Sequence, residues 1–200
     1  MPTLRFDQFV SNSQRAKELI GLGEALSGLT VGRVDAADMY RAAIVQGVAA
    51  LDSYVHDIVL DLAVRILLGT RPAGSATRVG LHFGAISELI SAGNATELEM
   101  RSRLLINERL NTETFQKPDD IAKAFAMVGV NRIWSAAFGN AAESTKRALS
   151  VVVRRRNMIV HRCDVDPADL KLLLPLSSDD ARSGIESIEN VVNGFEAVLC

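Results

Sequence analysis

Cysteine is almost missing from this sequence of 200 residues: only Cys163 and Cys200 are present. Two cysteines so far apart form neither a disulfide framework nor a zinc-ligand pattern, so a reducing compartment is expected. Also missing is any run of roughly 18 uncharged apolar residues, the length a membrane span needs. Met1 to Phe9 lacks the basic start and apolar run of a signal peptide, and the expectation is a cytoplasmic protein with no membrane contact. A large excess of either charge is missing as well, with 22 Lys and Arg against 24 Asp and Glu. The net charge is -2, which argues against broad electrostatic coating of nucleic acid and leaves any RNA contact to a local basic cluster. Sustained period-2 alternation, internal repeats and low-complexity segments are all lacking, and with them the signals of β-structure or of a second domain.

What is present is apolar residues at helical spacing. Hydrophobic content is 48%, enough for a real core in one all-α domain, a helical bundle spanning residues 1–200. The spacing predicts a first helix from about Asp7 to Leu26, stopped in the Gly28 to Gly32 stretch. A second runs from about Ala36 to Leu68, with Ile44, Val48, Leu51, Val55, Ile58, Val59, Leu62 and Ile66 on one stripe and Gly69 and Pro72 after it. A loop of small residues follows to Gly80. Shorter helices are expected near Leu81 to Ser91 and Thr96 to Leu110, the latter capped by Asn94 or Thr96. Pro118, Asp119 and Asp120 suit the start of a helix running to about Val128. Trp134 and Phe138 are expected in the core. A helix from about Ala141 to Cys163 precedes a last one opened by Ser177 and Asp180 in a capping box.

The informative feature is the place of Arg156 on its helix. At 100° per residue it lies about 20° from Leu149, inside a stripe that also holds Val153 and Val160. A guanidinium in an apolar setting is costly and cannot escape by losing its proton, so it needs a carboxylate, a phosphate or a subunit interface. Asn157 and His161, four residues apart, share the edge of that stripe, and Arg154, Arg155 and Arg162 add positive charge. Histidine can move a proton near neutral pH and arginine can stabilise charge on a phosphorane, the two needs of RNA cleavage by its own 2′-hydroxyl. No cofactor is called for. Neither a paired acidic motif of two-metal nucleases nor His-Glu-x-x-His is visible.

The segment Arg154-Arg155-Arg156-Asn157-Met158-Ile159-Val160-His161-Arg162-Cys163-Asp164 resembles the Arg-x(4 to 6)-His signature of HEPN domains, most of all the RiboL-PSP-HEPN group. Further echoes are Ala50 to Asp57 on the long helix, Phe115-Gln116-Lys117-Pro118, Trp134, and the acidic start Ser178-Asp179-Asp180 of the last helix. The resemblance covers about Ala36 to Val198. It implies a HEPN-like bundle with additional peripheral helices, and a homodimeric ribonuclease whose two Arg/His sets face a shared cleft. It also implies a role as a toxin or antiviral effector, with a cognate antitoxin or defence-system subunit as a possible partner. On this reading Arg156, Asn157 and His161 are catalytic, and Arg154, Arg155 and Arg162 bind RNA.

Blander readings stand beside these. Asp52 lies in the apolar stripe of its own helix, about 40° from Val48 and 20° from Val59, so Asp52 is expected to touch Arg156 or His161. That pair would either support the site or serve structure alone. His161 in isolation would read as a helix-end histidine favoured by the dipole. His56 reads as structural, His82 carries no motif, and Cys163, on the stripe, reads as a small buried hydrophobe. Alternatives to the ribonuclease are a non-catalytic module of the same fold that binds a nucleotide, RNA or a partner, and a helical scaffold or antitoxin-like subunit.

Overall fold

The computed structural model describes residues 3–31, 33–74 and 78–199. Gly32, residues 75–77 of the small-residue loop and Cys200 lie outside the described residues. Among those described the chain is all-α, with α1 (Leu4–Thr30), α2 (Ala37–Leu67), α3 (Phe83–Ile90), α4 (Ala95–Leu110), α5 (Pro118–Met127), α6 (Ile133–Phe138), α7 (Ala142–Arg162) and α8 (Ser178–Leu199). Contacts group the chain into two compact units, Met1–Tyr54 with Trp134–Cys200, and Val55–Ile133. Helix α2 contributes to both.

In the first unit α1 and α7 each pack on α8. Glycines inside these helices set how closely they approach. A Cβ on Gly184 of α8 would come within 2.7 Å of Ile44 Cδ1 on α2, and one on Gly47 of α2 would strike Ile185 of α8. Each glycine thus receives the isoleucine of the opposite helix, a close fit that a methyl group would disturb. Trp134 and Phe195 meet edge to face, their ring centroids 4.9 Å apart, and Trp134 is buried as expected. The α8 carboxylate of Glu196 accepts hydrogen bonds from Thr3 N at 2.5 Å and from Tyr54 Oη at 2.7 Å, tying the start of α1 to α2 and α8. The expected capping box opens α8: Asp180 N donates to Ser177 Oγ at 3.1 Å and Ser177 N to Asp180 Oδ2 at 3.0 Å.

The second unit holds the rest of α2 with α3, α4 and α5. Its helix starts follow local chemistry. Asn94 Oδ1 accepts from Glu97 N at 2.9 Å, and Pro118 opens α5 with Asp119 and Asp120 in the first turn. His82, to which the sequence assigned nothing, caps α3 by accepting from Ala85 N through Nδ1 at 3.1 Å. His56 is structural: its ring lies 4.3 Å from that of Phe115, and its Nε2 is 3.2 Å from the Leu110 carbonyl.

The stripe of α2 is buried at seven of its eight predicted positions, with Ile66 half-buried. Gly69, at φ 71°, ends that helix in the left-handed region that glycine enters without strain. Helix α1 stops within the expected stretch, though not at a glycine. Gly28 is helical, and the left-handed residue is Val31, at φ 51°, so the helix runs to Thr30, four residues past the expected Leu26. Helix α2 also departs from the sequence reading that no stretch could span a membrane. By length and composition it passes that test, yet 61% of its most apolar window is buried inside the protein, as in a core helix.

Candidate functional site

Helix α7 carries the Arg156 to His161 segment at its C-terminal end, with Leu149, Val152 and Val153 holding its middle in the core. Past Val153 the stripe emerges from the protein. Arg156, Asn157, Met158 and Ile159 are half-buried, Val160 is 44% exposed, and His161 and Arg162 face solvent. Arg156 therefore sits where the apolar face meets water. Its Nη1 donates to Asn157 Oδ1 at 3.1 Å, while its Nε is buried without a hydrogen-bond partner among the described residues. Asn157 thus orients the guanidinium and leaves Nη2, rather than the buried Nε, for another acceptor. No hydrogen bond joins Arg156 to His161, which fits their separation of about 140° around the helix.

Asp52 is not the partner that Arg156 was expected to find. It is half-buried on α2. The only hydrogen bond of Arg156, among the described residues, is the one to Asn157. The physical reason is exposure: a half-buried guanidinium at the stripe's edge keeps part of its hydration, so its desolvation does not demand a carboxylate.

The buried ion pair exists one residue earlier, with its charges placed differently. Asp164 has no exposed surface, and its Oδ2 accepts from Arg155 Nη2 at 2.7 Å and from Arg41 Nε at 2.8 Å. Arg155 also donates to the carbonyls of Leu174 and Pro175, both at 3.0 Å. Arg41 donates to the carbonyl of Leu174 at 2.9 Å and to Asp38 at 3.1 Å. Burial pulls the pKa of Arg41 down, but hydrogen bonds and charge from Asp164 and Asp38 outweigh it and hold that pKa above the ordinary arginine value. Arg155, read from sequence as an RNA contact, is thus committed to fastening α7 to the following loop. Only Arg154 and Arg162 of that trio are exposed, and neither forms an ion pair among the described residues.

Local backbone explains how Asp164 reaches this place. Cys163 and Asp164 stand consecutively in the left-handed region at φ 51° and 58°, a conformation costing each non-glycine residue of the order of 1 kcal/mol. The N–H groups of both turn back to the Met158 carbonyl, closing the helix. The loop beyond is held by a bridge between Val165 and Leu173 and by Leu174 N donating to Asp164 O at 2.8 Å. Cys163 is consequently exposed, contrary to the buried hydrophobe that the helical stripe suggested, because the helix stops just before it. It lines an open depression with Ile159, Arg41, Asp38 and Gln46.

No family model matches the chain, and no curated protein or solved structure is significantly similar to it. The site must therefore be judged on its own geometry. Among the described residues no group of three or more His, Cys, Asp or Glu is gathered to hold a metal ion. What the end of α7 offers is an oriented and incompletely satisfied guanidinium, an exposed imidazole and two unpaired arginines.

Arg41 and Asp164 escaped the sequence reading, although a signal for Arg41 existed. It lies three residues before Ile44 and seven before Val48, on the buried stripe of α2, where the argument applied to Arg156 holds with more force. Asp164 had no such signal, because it lies past the last helical turn, where periodicity says nothing.

Proposed function

We propose that the chain is a metal-independent endoribonuclease of HEPN type, acting at the C-terminal end of α7. The observation that carries the reading is Arg156: a half-buried guanidinium at the open end of α7, aligned by Asn157 through Nη1 alone, five residues before an exposed histidine. A phosphodiester is the acceptor best matched to such a fork. In the proposed reaction the ribose 2′-oxygen attacks phosphorus and loses its proton, and the 5′-oxygen leaves and gains one. His161 serves as general base or general acid in this exchange. Arg156 clamps the phosphate and stabilises the added negative charge of the phosphorane. Asn157 holds the arginine in place, and Arg154 and Arg162 bind the backbone of the RNA. The products carry 2′,3′-cyclic phosphate and 5′-hydroxyl ends.

A homodimer completes the proposal. One imidazole per chain provides for one proton transfer at a time, and two chains meeting at the ends of α7 would supply a second. Exposed Val160 on α7 and Leu170, Leu172 and Leu173 on the loop that follows give such a contact apolar area. The cellular setting proposed is the cytoplasm, as a toxin or antiviral effector governed by an antitoxin or another subunit of a defence system. A second reading, a module that binds RNA or a nucleotide without cutting, is favoured by the missing hydrogen bond between Arg156 and His161.

One experiment separates the two. RNA incubated in EDTA with the wild-type protein, Arg156→Ala and His161→Ala should be cut by the wild type alone, leaving cyclic phosphate ends, while all three proteins keep the same far-UV circular dichroism. RNA that is bound but never cut would establish the binding module. A strict need for divalent metal would overturn the mechanism, and a strict monomer by light scattering at micromolar concentration would remove the shared cleft.

A further inference from the structure

We infer a small-molecule site in the second unit, independent of the ribonuclease reading: a pocket for an amphiphile with one carboxylate and a short hydrocarbon tail. The unit contains a cavity of about 240 Å³. Its wall is formed by Ala63, Ile66 and Leu67 of α2, Ile86 of α3, Ile106 of α4 and Met127 of α5. Residues of the α2 to α3 connection close the remainder, and they include Arg78, the one charged group among the described lining residues.

Three features point to this ligand class. First, the lining is hydrocarbon from four helices and holds no carboxylate, so a cationic or highly polar guest would be desolvated without compensation. Second, Leu67 and Ile86 remain 40% and 39% exposed although apolar neighbours surround them in the concavity, and an apolar guest would remove that surface from water. Third, Arg78 is exposed and forms no ion pair among the described residues. A cation at the rim of an apolar cavity matches an anionic head whose tail lies inside, and a guanidinium suits a carboxylate through its paired N–H groups. Size sets the tail. An apolar cavity of roughly 150 Å³ holds a benzene molecule, so by proportion this one holds a ligand of roughly ten heavy atoms, the size of octanoate. Met127 adds an adaptable side chain able to follow guests of slightly different shape.

The test is titration calorimetry of the full chain with straight-chain carboxylates from hexanoate to dodecanoate, beside 1-octanol and octylammonium, all below their aggregation concentrations. Saturable 1:1 binding of octanoate is expected. Affinity should rise about fourfold per added methylene up to roughly ten heavy atoms and then level off. Octylammonium should bind at least tenfold more weakly than octanoate. Arg78→Gln should weaken octanoate about threefold or more and leave 1-octanol unchanged. Leu67→Trp and Ile86→Trp place a large ring in the mouth at positions already open to solvent, so the fold is kept, as circular dichroism will verify, and both should abolish binding of octanoate and octanol alike. No saturable binding at millimolar octanoate would overturn the proposal, as would octylammonium binding as tightly as octanoate, or folded tryptophan variants that bind as the wild type does.

Discussion

Replacing Asp164 by alanine is the sharpest test of how the end of α7 is built. The change removes the acceptor shared by Arg41 and Arg155 and leaves two guanidinium groups facing each other in a region from which the carboxylate had excluded water. The side chain of Arg41 is 8% exposed and that of Arg155 22%. Removing one partner of a buried pair typically costs about 3–5 kcal/mol. Here the lower end applies, because Arg155 keeps the Leu174 and Pro175 carbonyls and Arg41 keeps Asp38 and Leu174. About 3 kcal/mol is a large share of a typical folding stability of 5–15 kcal/mol, and for a chain of this length it lowers Tm by about 6–12 °C. Urea denaturation followed by circular dichroism gives the difference directly. Asp164→Gly makes the needed control. It deletes the same carboxylate but relieves the left-handed backbone strain, so it should be less destabilising than alanine by about 1 kcal/mol. Should Asp164→Ala unfold within 0.5 kcal/mol of the wild type, the two arginines are not held by this carboxylate and the account of the α7 terminus fails.

Arg154→Gln and Arg162→Gln should weaken RNA binding and flatten its dependence on salt by about one unit of slope each with no loss of stability, whereas Arg155→Gln should lower the urea midpoint; a stable Arg155→Gln would return that residue to the RNA contacts. Ser177→Ala should cost about 1 kcal/mol through loss of the α8 cap. The hydrogen bonds that Ser177 donates hold the Asp180 carboxyl below its ordinary pKa, so the part of the stabilisation that they carry is complete above the ordinary carboxylate range and is lost as pH falls through the depressed value. The gap in thermal stability between wild type and Ser177→Ala should accordingly narrow in strong acid to what the cap bond from Asp180 N to Ser177 Oγ supplies, and a gap that stays constant with pH would refute the linkage. Gly184→Ala should destabilise by about 1–3 kcal/mol through overpacking against Ile44, and a neutral result in thermal melts would show that the α2 to α8 crossing relaxes freely.

The all-α architecture was legible in the sequence because helix formation depends on local pattern. The stripe of α2, the proline start of α5, Asn94 before α4 and the Ser177/Asp180 box each lie within a few residues of the structure they specify, and each appears where local chemistry put it. That Arg156 follows the apolar stripe of α7, with Asn157 beside it and His161 on the last turn, was likewise readable from helical geometry; that the stripe meets water there was not. Which charges meet was not. The same stripe logic paired Asp52 with Arg156, while the fold pairs Asp164 with Arg41 and Arg155 across 123 and 9 residues of chain. Periodicity reports which face of a helix a residue occupies; it does not report how far that face stays covered along the helix, nor where a loop turns back. The end of α7 emerges into solvent, so Arg156 needed no carboxylate and Cys163 became exposed. Two left-handed residues then carried Asp164 under the helix, where burial made pairing obligatory. Those outcomes depend on desolvation and on long-range proximity, and only the tertiary structure determines either.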